Sequence, residues 1–241
     1  MPLTTMKTLD ICLSPELLPL YDLKGRVAVV VDVLRATSSI VTALAQGVTH
    51  LVPVSELDDC RALATEGYLT AAERDGRQVE GVDLGNSPFG YLDGAVAVRG
   101  RAVAITTTNG TRALQLSQAA DVVAVGAFLN LAAIAEFLRQ QNKDVVVVCA
   151  GWKGKFCLED TLYGGALAAR LASHFDTSNS DAALAALDLW QAAEPDVAAY
   201  LLKSTHVRRL NSLEAHKDME FCVRPDVYDI VPLFREGRIA L

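Results

Sequence analysis

The chain has 241 residues, 51% hydrophobic, 21% charged and 6% aromatic, with a formal net charge of −7. A composition this apolar buries enough surface to offset the entropy of ordering, which excludes a disordered chain, and the acidic total excludes the basic footprint of a duplex-DNA binder. No apolar run approaches the roughly 18–20 residues that span a bilayer, and residues 1–20 lack the basic-then-apolar order of a secretory signal. The expectation is a cytoplasmic protein with no membrane or nucleic-acid partner. Five cysteines without CxxC spacing argue against a disulfide framework and read as small core residues. No Ser/Gly/Pro tract or charge block marks a linker, which predicts a single domain over residues 1–241.

Residues 27–31, Val-Ala-Val-Val-Val, predict a buried strand. The polar segment 32–39 then leads into an apolar helix that ends near Gln46, before Gly47. A strand over 51–54 follows, and Ser55 with Asp58 has capping-box spacing ahead of a helix carrying Leu57, Cys60, Leu63 and Ala64. After a short apolar run come residues 71–77 (Ala-Ala-Glu-Arg-Asp-Gly-Arg) and a Gly- and Asn-containing loop over 81–88. The strand–loop–helix pattern recurs as strand 102–105, loop 106–111 and helix 112–118. Residues 121–125 predict a strand, and Asn130 is placed to cap a helix whose Leu131, Ile134, Ala135 and Leu138 keep helical spacing.

The pattern occurs a third time in strand 145–149, the glycine-punctuated loop 150–156, and a long helix opened by Leu158-Glu159-Asp160-Thr161 and running toward His174. Residues 180 to about 216 read as helical, and the tail after Glu220 as short strands interrupted by Pro225 and Pro232. Apolar positions around Trp190, Leu201 and Leu202 suit either a core helix or a homodimer face. Continuous Val/Ile strands that each feed a helix predict an α/β fold, with three α/β/α layers around a mostly parallel, mixed sheet.

Every polar cluster follows a strand, where ligands collect in parallel α/β sheets. Asp32 ends an apolar run, so its carboxylate should stand at the strand's carboxyl edge, suited to Mg²⁺ shared with a substrate phosphate or merely to capping a turn. Arg35 offers a planar donor fork, and Thr37 and Ser38 bring hydroxyls to a helix start. The loop of Thr106, Thr107, Thr108, Asn109, Gly110 and Thr111 can cradle an anion. Glu73 and Asp83 are candidate cation ligands, with Arg74 or Arg77 as an anion contact, although residues 73–75 also suit a solvated turn, the reading preferred for Asp75, Gly76 and Arg77. Glu159 and Asp160 can ligate a metal, act as a base toward water, or complement the helix dipole.

Other motifs fail. The segment 151–156 is too short for a phosphate-binding Walker loop and ends in Phe156 where a hydroxyl is required. Cys149 lacks the arginine of a thiolate phosphatase loop. Leu34 stands where haloacid-dehalogenase-type enzymes carry a second aspartate. The four histidines show no paired spacing.

Taken together, residues 31–38 (Val-Asp-Val-Leu-Arg-Ala-Thr-Ser), 81–88 (Gly-Val-Asp-Leu-Gly-Asn-Ser-Pro), 107–111 (Thr-Thr-Asn-Gly-Thr), and Cys149-Ala150-Gly151 with Leu158-Glu159-Asp160-Thr161 closely resemble the 2-phosphosulfolactate phosphatase family in order and spacing. The resemblance runs from about Val27 through Gly165. It implies an Mg²⁺-dependent acid phosphatase that hydrolyses (2R)-phospho-3-sulfolactate, a small anionic phosphoester of coenzyme M biosynthesis. It also implies roles. Asp32, Glu73, Asp83, Glu159 and Asp160 become candidates for Mg²⁺ and water activation, with Asp32, Arg35 and Asp160 as the catalytic set. Arg35, Thr37, Ser38, Arg74, Thr108, Asn109, Gly110 and Thr111 become candidates for phosphate and sulfonate binding. Lys153 and Lys155 depart from the family's less basic loop and suit a second anion contact or an altered substrate choice. The same loops would also serve another small phosphorylated hydroxy acid, or a module that binds a phosphometabolite without turnover.

Overall fold

The structure, a computed structural model, describes residues 6–210 and 213–241. Residues 1–5, part of the stretch read for a signal, and 211–212, inside the stretch read as helical, lie outside the described residues. In chain order the elements are β1 (Lys7–Cys12), β2 (Val27–Val31), α1 (Ala36–Ala45), β3 (His50–Pro53), α2 (Leu57–Ala64), β4 (Leu69–Arg74), β5 (Arg77–Gln78), α3 (Phe89–Leu92), β6 (Ala102–Thr106), α4 (Gly110–Leu116), β7 (Val122–Gly126) and α5 (Leu131–Gln141). There follow β8 (Val145–Cys149), α6 (Leu158–Leu171), β9 (Phe175–Asp176), α7 (Asp181–Ala193), α8 (Val197–Leu201), α9 (Thr205–Leu210), α10 (Leu213–Cys222), β10 (Leu233–Arg235) and β11 (Arg238–Ala240).

The expected α/β class is observed as one eleven-stranded mixed sheet in the order β5-β4-β6-β3-β11-β10-β7-β2-β8-β1-β9. Strands β2 and β8 are buried along their whole length. They pair in parallel with Val27 opposite Val145 and Val31 opposite Cys149, and β2 also pairs in parallel with β7. Such strands have no solvent face, which is why valine runs without alternation predict them. Helices cover both faces. Leu131, Ile134, Leu162, Tyr163 and Leu167 of α5 and α6 pack against one side of β2 and β8, while Ile40, Val41 and Leu44 of α1 with Leu114 of α4 pack against the other.

Two parallel blocks, β4-β6-β3 and β7-β2-β8-β1-β9, are joined by the C-terminal hairpin β10–β11, which is antiparallel to both β7 and β3. Two reversals and an antiparallel hairpin make the blocks run in opposite directions, so a flat sheet would send their carboxyl ends to opposite edges. The blocks nevertheless share one core, in which Val30 of β2 and Val103 and Ile105 of β6 pack with Ile40 of α1 and Leu114 of α4.

Several local expectations are corrected. Strand β1 was not anticipated: Lys-Thr-Leu-Asp-Ile-Cys is too polar to announce a strand buried between β8 and β9. Ser55 does not cap α2; the cap position is Glu56, and the Ser55 hydroxyl donates to Gln115 Oε1 at 3.0 Å. Asn130 stands at the α5 cap position, but its amide ties Val125 and Ile230 carbonyls together instead of capping the helix. The helical stretch after Ser180 is broken into α7 to α10, with Asp196 capping α8 by accepting from Ala199 N. The tail is still helical to Cys222, and its strands begin at Leu233. Of the residues considered for a homodimer face, Leu201 is fully buried and Trp190 stacks on Phe128, while Leu202 is exposed.

Candidate functional site

The loops after β2, β4, β6 and β8, together with α9, enclose a cleft of ≈ 310 Å³ whose walls include Asp32, Arg35, Glu73, Thr108, Asn109 and His206. A second section of ≈ 860 Å³ shares Arg35, Asp75, Gly76, Asn86 and Arg209 with the first and extends to Asp83, Ser87 and Asp218. Each wall has a local cause. Asp75 and Gly76 both take positive φ, the conformation a tight two-residue hairpin needs, so Glu73 leaves β4 directly beside the turn. Gly76 N then donates to Glu73 Oε1 at 2.5 Å, and Thr108 Oγ1 donates to Oε2 at 3.4 Å.

Asp32 sits where β2 gives way to α1. Its backbone amide donates to Thr37 Oγ1 at 3.0 Å, and Ala36 N approaches its Oδ1 at 3.4 Å. Burial raises its carboxyl to about 6. The charge of His206 and the Ala36 amide pull it down, and the carboxylates of Glu73 and Glu159 push it up. Asp32 is therefore a buried carboxylate short of positive charge. Gly110 faces it from the other block: a methyl there would lie 2.7 Å from Ala36 Cβ and 2.9 Å from Asp32 Oδ2.

Glu159 and Asp160, adjacent in sequence, have different surroundings. Glu159 Oε1 meets His206 Nδ1 at 2.5 Å, and Ser204 Oγ donates to Oε2 at 3.3 Å. Burial pushes Glu159 upward, but the His206 hydrogen bond and charge outweigh it and leave the carboxyl below its usual range. Asp160 accepts from Val33 N and Gly151 N, each at 2.9 Å, and so ties the loops after β2 and β8 together. Its burial, with Glu159 and Asp32 nearby, raises its carboxyl well above normal. Cys157, Glu159 and His206 bring three potential ligand atoms within 4.8 Å of one another among the described residues.

The structure thus brings together Asp32, Arg35, Glu73, Thr108 and Asn109 on the cleft wall, with Gly110 against Asp32 and Glu159 linked through His206. Other predicted site residues are spent on the scaffold. Thr37 and Ser38 turn their hydroxyls back to the carbonyls of Asp32 and Val33. Thr111 exchanges side-chain-to-backbone contacts with Thr107. Arg74 donates to Glu73 O and Thr106 Oγ1, and Asp83 accepts from Thr70 N and Oγ1. Arg35 lines the cleft with one guanidinium nitrogen bonded to Gly76 O at 2.8 Å and another paired with Asp218, which also accepts from Ser87 Oγ.

Sequence reasoning passed over His206, Arg209, Asp218 and Trp152. Two signals were available. Glu194-Pro195-Asp196 interrupts the long helical stretch, and His206 and Arg209, three apart, share one face of a helix.

A family model described as 2-phosphosulpholactate phosphatase matches residues 12–237. The chain belongs to that family. Relatives called probable 2-phosphosulfolactate phosphatase include one from Caldanaerobacter subterraneus subsp. tengcongensis, 40% identical over 220 residues and covering 90% of each chain. Another, from Pseudothermotoga lettingae, is 41% identical over 213 residues, covering 88% of this chain and 91% of its own. A third, from Nostoc punctiforme, is 36% identical over 233 residues, with 92% and 94% covered. The resemblance read from four motifs is therefore shown at the level of family. Lys153 is engaged locally: its amide donates to Asn109 Oδ1 at 2.9 Å and its ammonium pairs with Asp75 at 3.1 Å. Among the described residues no helix is long and apolar enough to cross a membrane.

Proposed function

We propose that this cleft hydrolyses the phosphate ester of (2R)-phospho-3-sulfolactate, giving sulfolactate and phosphate for coenzyme M synthesis in the cytoplasm, with Mg²⁺ as the metal. Membership of the family and the names of its relatives support the substrate. The observation that carries the chemistry is Asp32: a buried carboxylate raised to about 6, facing a cleft that also holds Glu73 and is one methyl's breadth from Gly110.

The donor set fits a hard divalent cation. Asp32 and Glu73 supply carboxylate oxygens, and Asn86 Oδ1 on the same wall is buried without a hydrogen-bond partner. These residues would hold Mg²⁺, which when bound neutralises Asp32 and withdraws charge from the phosphoryl oxygens. Asp160, turned to loop amides, and Asp83, turned to Thr70, would shape the site from behind.

Hydrolysis breaks the ester P–O bond; water supplies the hydroxyl that phosphorus gains and the proton that the departing C2 oxygen takes. Asp32 either attacks phosphorus itself, forming an acyl phosphate that water then opens, or holds and deprotonates the attacking water. Arg35, pinned by Asp218 and Gly76, and Thr108 and Asn109 opposite it orient the phosphoryl oxygens.

The test is phosphate release from 2-phosphosulfolactate by wild type and Asp32→Asn, with Mg²⁺ and with chelator. Turnover only by metal-loaded wild type is expected; full turnover by D32N would overturn the assignment. A phosphoaspartyl adduct on Asp32, trapped by acid quench during turnover, identifies the covalent route, and its absence in a quench that catches the enzyme mid-turnover identifies the activated water. A screen of other small phosphorylated hydroxy acids reads out an altered substrate, and tight phosphoester binding without release reads out a binding module.

A further inference from the structure

We propose that Arg209, laid on the face of Trp152, is the site that receives the anionic arm of the substrate that is not hydrolysed, and that it sets selectivity for phosphoesters carrying a second, strongly acidic oxyanion. This rests on the phosphatase reading above. The other basic groups of the cleft are already committed.

Among the described residues three basic side chains line the first section of the cleft: Arg35, His206 and Arg209. Arg35 is paired with Asp218 and bonded to Gly76 O. His206 is bonded to Glu159. Lys153, the basic residue that stood out in the sequence, is paired with Asp75. Arg209 differs: among the described residues it has no carboxylate partner, and its one hydrogen bond is a long contact, 3.4 Å, to the Thr205 hydroxyl on its own helix.

The guanidinium is nevertheless held. Its central carbon lies 3.9 Å from the Trp152 ring centroid, and Lys153 Nζ shares the same indole at 4.7 Å. Stacking fixes the plane of an arginine while leaving its N–H edge pointing outward, the arrangement that meets a carboxylate or sulfonate with two parallel hydrogen bonds. An exposed arginine normally pays rotamer entropy to do this; the indole platform reduces it.

Position completes the case. Arg209 lines both sections of the cleft, as do Arg35 and Asn86, and so stands at their junction. Asp32 and Glu73 form the acidic end, where a cation and the phosphoryl group belong. A small substrate with its phosphate at that end presents its remaining anion toward Arg209. Sulfonate and carboxylate share this chemistry, and the substrate series below separates them.

The experiment compares wild type with Arg209→Met on three phosphoesters: 2-phosphosulfolactate, 2-phospholactate, which keeps the carboxylate but lacks the sulfonate, and isopropyl phosphate, which lacks both. Losing a charge-assisted bidentate contact predicts a fall in kcat/KM of about 10- to 100-fold on 2-phosphosulfolactate, carried by KM, with isopropyl phosphate unchanged within about twofold. If 2-phospholactate falls with it, Arg209 holds the carboxylate; if 2-phospholactate is spared, Arg209 holds the sulfonate. R209K should recover part of the loss, and Trp152→Ala should show part of it. Equal loss on all three esters, or an unchanged ratio between them, overturns the proposal. Calorimetric titration with sulfolactate reads the same contact without turnover: weaker binding by R209M supports it and unchanged binding overturns it. Wild type that hydrolyses none of the esters but binds sulfolactate through Arg209 would overturn the phosphatase reading alone.

Discussion

Replacing Gly110 with alanine tests whether the position of Asp32 is set by contact between the two sheet blocks. The added methyl would lie 2.7 Å from Ala36 Cβ and 2.9 Å from Asp32 Oδ2, and ordinary contact begins at 3.4 Å. The neighbours must therefore move apart by about 0.5–0.7 Å. Neither is the free end of a flexible chain, since Ala36 opens α1 and Asp32 is held through Thr37 and Ala36. Overpacking of this kind costs about 1–3 kcal/mol, which for a chain of this size lowers Tm by roughly 2–10 °C. A displacement of this size at a reacting carboxylate, scaled from the ~100-fold loss typical of 1 Å, predicts a fall in kcat of about 10- to 25-fold. Thermal unfolding and initial-rate phosphate release measure the two effects separately. In the double variant Ala36→Gly/Gly110→Ala the nearer contact disappears but the one to Asp32 remains, so Tm should recover more than kcat does. Wild-type kcat in G110A, or rate and Tm recovering in parallel in the double variant, would refute the reasoning.

Asp32 should also govern pH dependence. Its folded value is raised to about 6 from 3.8, so the folded state binds the extra proton, and metal-free stability falls as pH rises from about 4 to 6, by about 3 kcal/mol in all. D32N should lack that slope in urea unfolding and exceed metal-free wild type at pH 7.5; a stability gap that ignores pH would count against a raised Asp32. In rate measurements at low Mg²⁺, kcat/KM should drop below about pH 6, with the inflection moving to lower pH as Mg²⁺ increases. Added Mg²⁺ should raise the Tm of wild type and leave D32N nearly unmoved; an equal rise in both would place the ion elsewhere. Removing His206 leaves the buried Glu159 carboxylate without its closest hydrogen-bond partner, so His206→Ala should cost about 1–3 kcal/mol at pH 7. Glu159 has a lowered folded value, so the pair's contribution is present above its unfolded pKa and lost as pH falls through the folded one. The H206A deficit should shrink on acidification, which unfolding at pH 7 and pH 4 will show.

The parallel strands and their loops were legible because β2, β6 and β8 are buried on both faces and so carry unbroken apolar runs, each ending in polar residues. β1 was not legible: Lys7, Thr8 and Asp10 interrupt the run, and its place beside β8 follows from tertiary pairing. Loop composition identified the acidic cluster around Asp32 and Glu73, but it could not show which hydroxyls would be consumed locally. Thr37, Ser38 and Thr111 satisfy backbone groups at helix starts, the ordinary use of such residues there. His206, Arg209 and Asp218 reach the site from the helices after α7, well over a hundred residues from Asp32, and no local periodicity encodes that approach. Side-chain geometry also separated neighbours that look alike in sequence: Glu159 faces His206 while Asp160 faces loop amides.

The hairpin β10–β11 sets an order on assembly. Residues 233–240 are made after every other strand, yet they lie in the middle of the sheet and are the bridge through which β3 and β7 belong to one structure. During synthesis the earlier strands can form two separate parallel units, each with an open edge, β3 in one and β7 in the other. These edges stay unpaired until residues 233–240 clear the ribosome. The site shares this dependence, since Asp32 comes from one unit and Glu73 from the other. Ribosome-bound chains ending before Leu233 should therefore expose two strand edges prone to pairing with other chains.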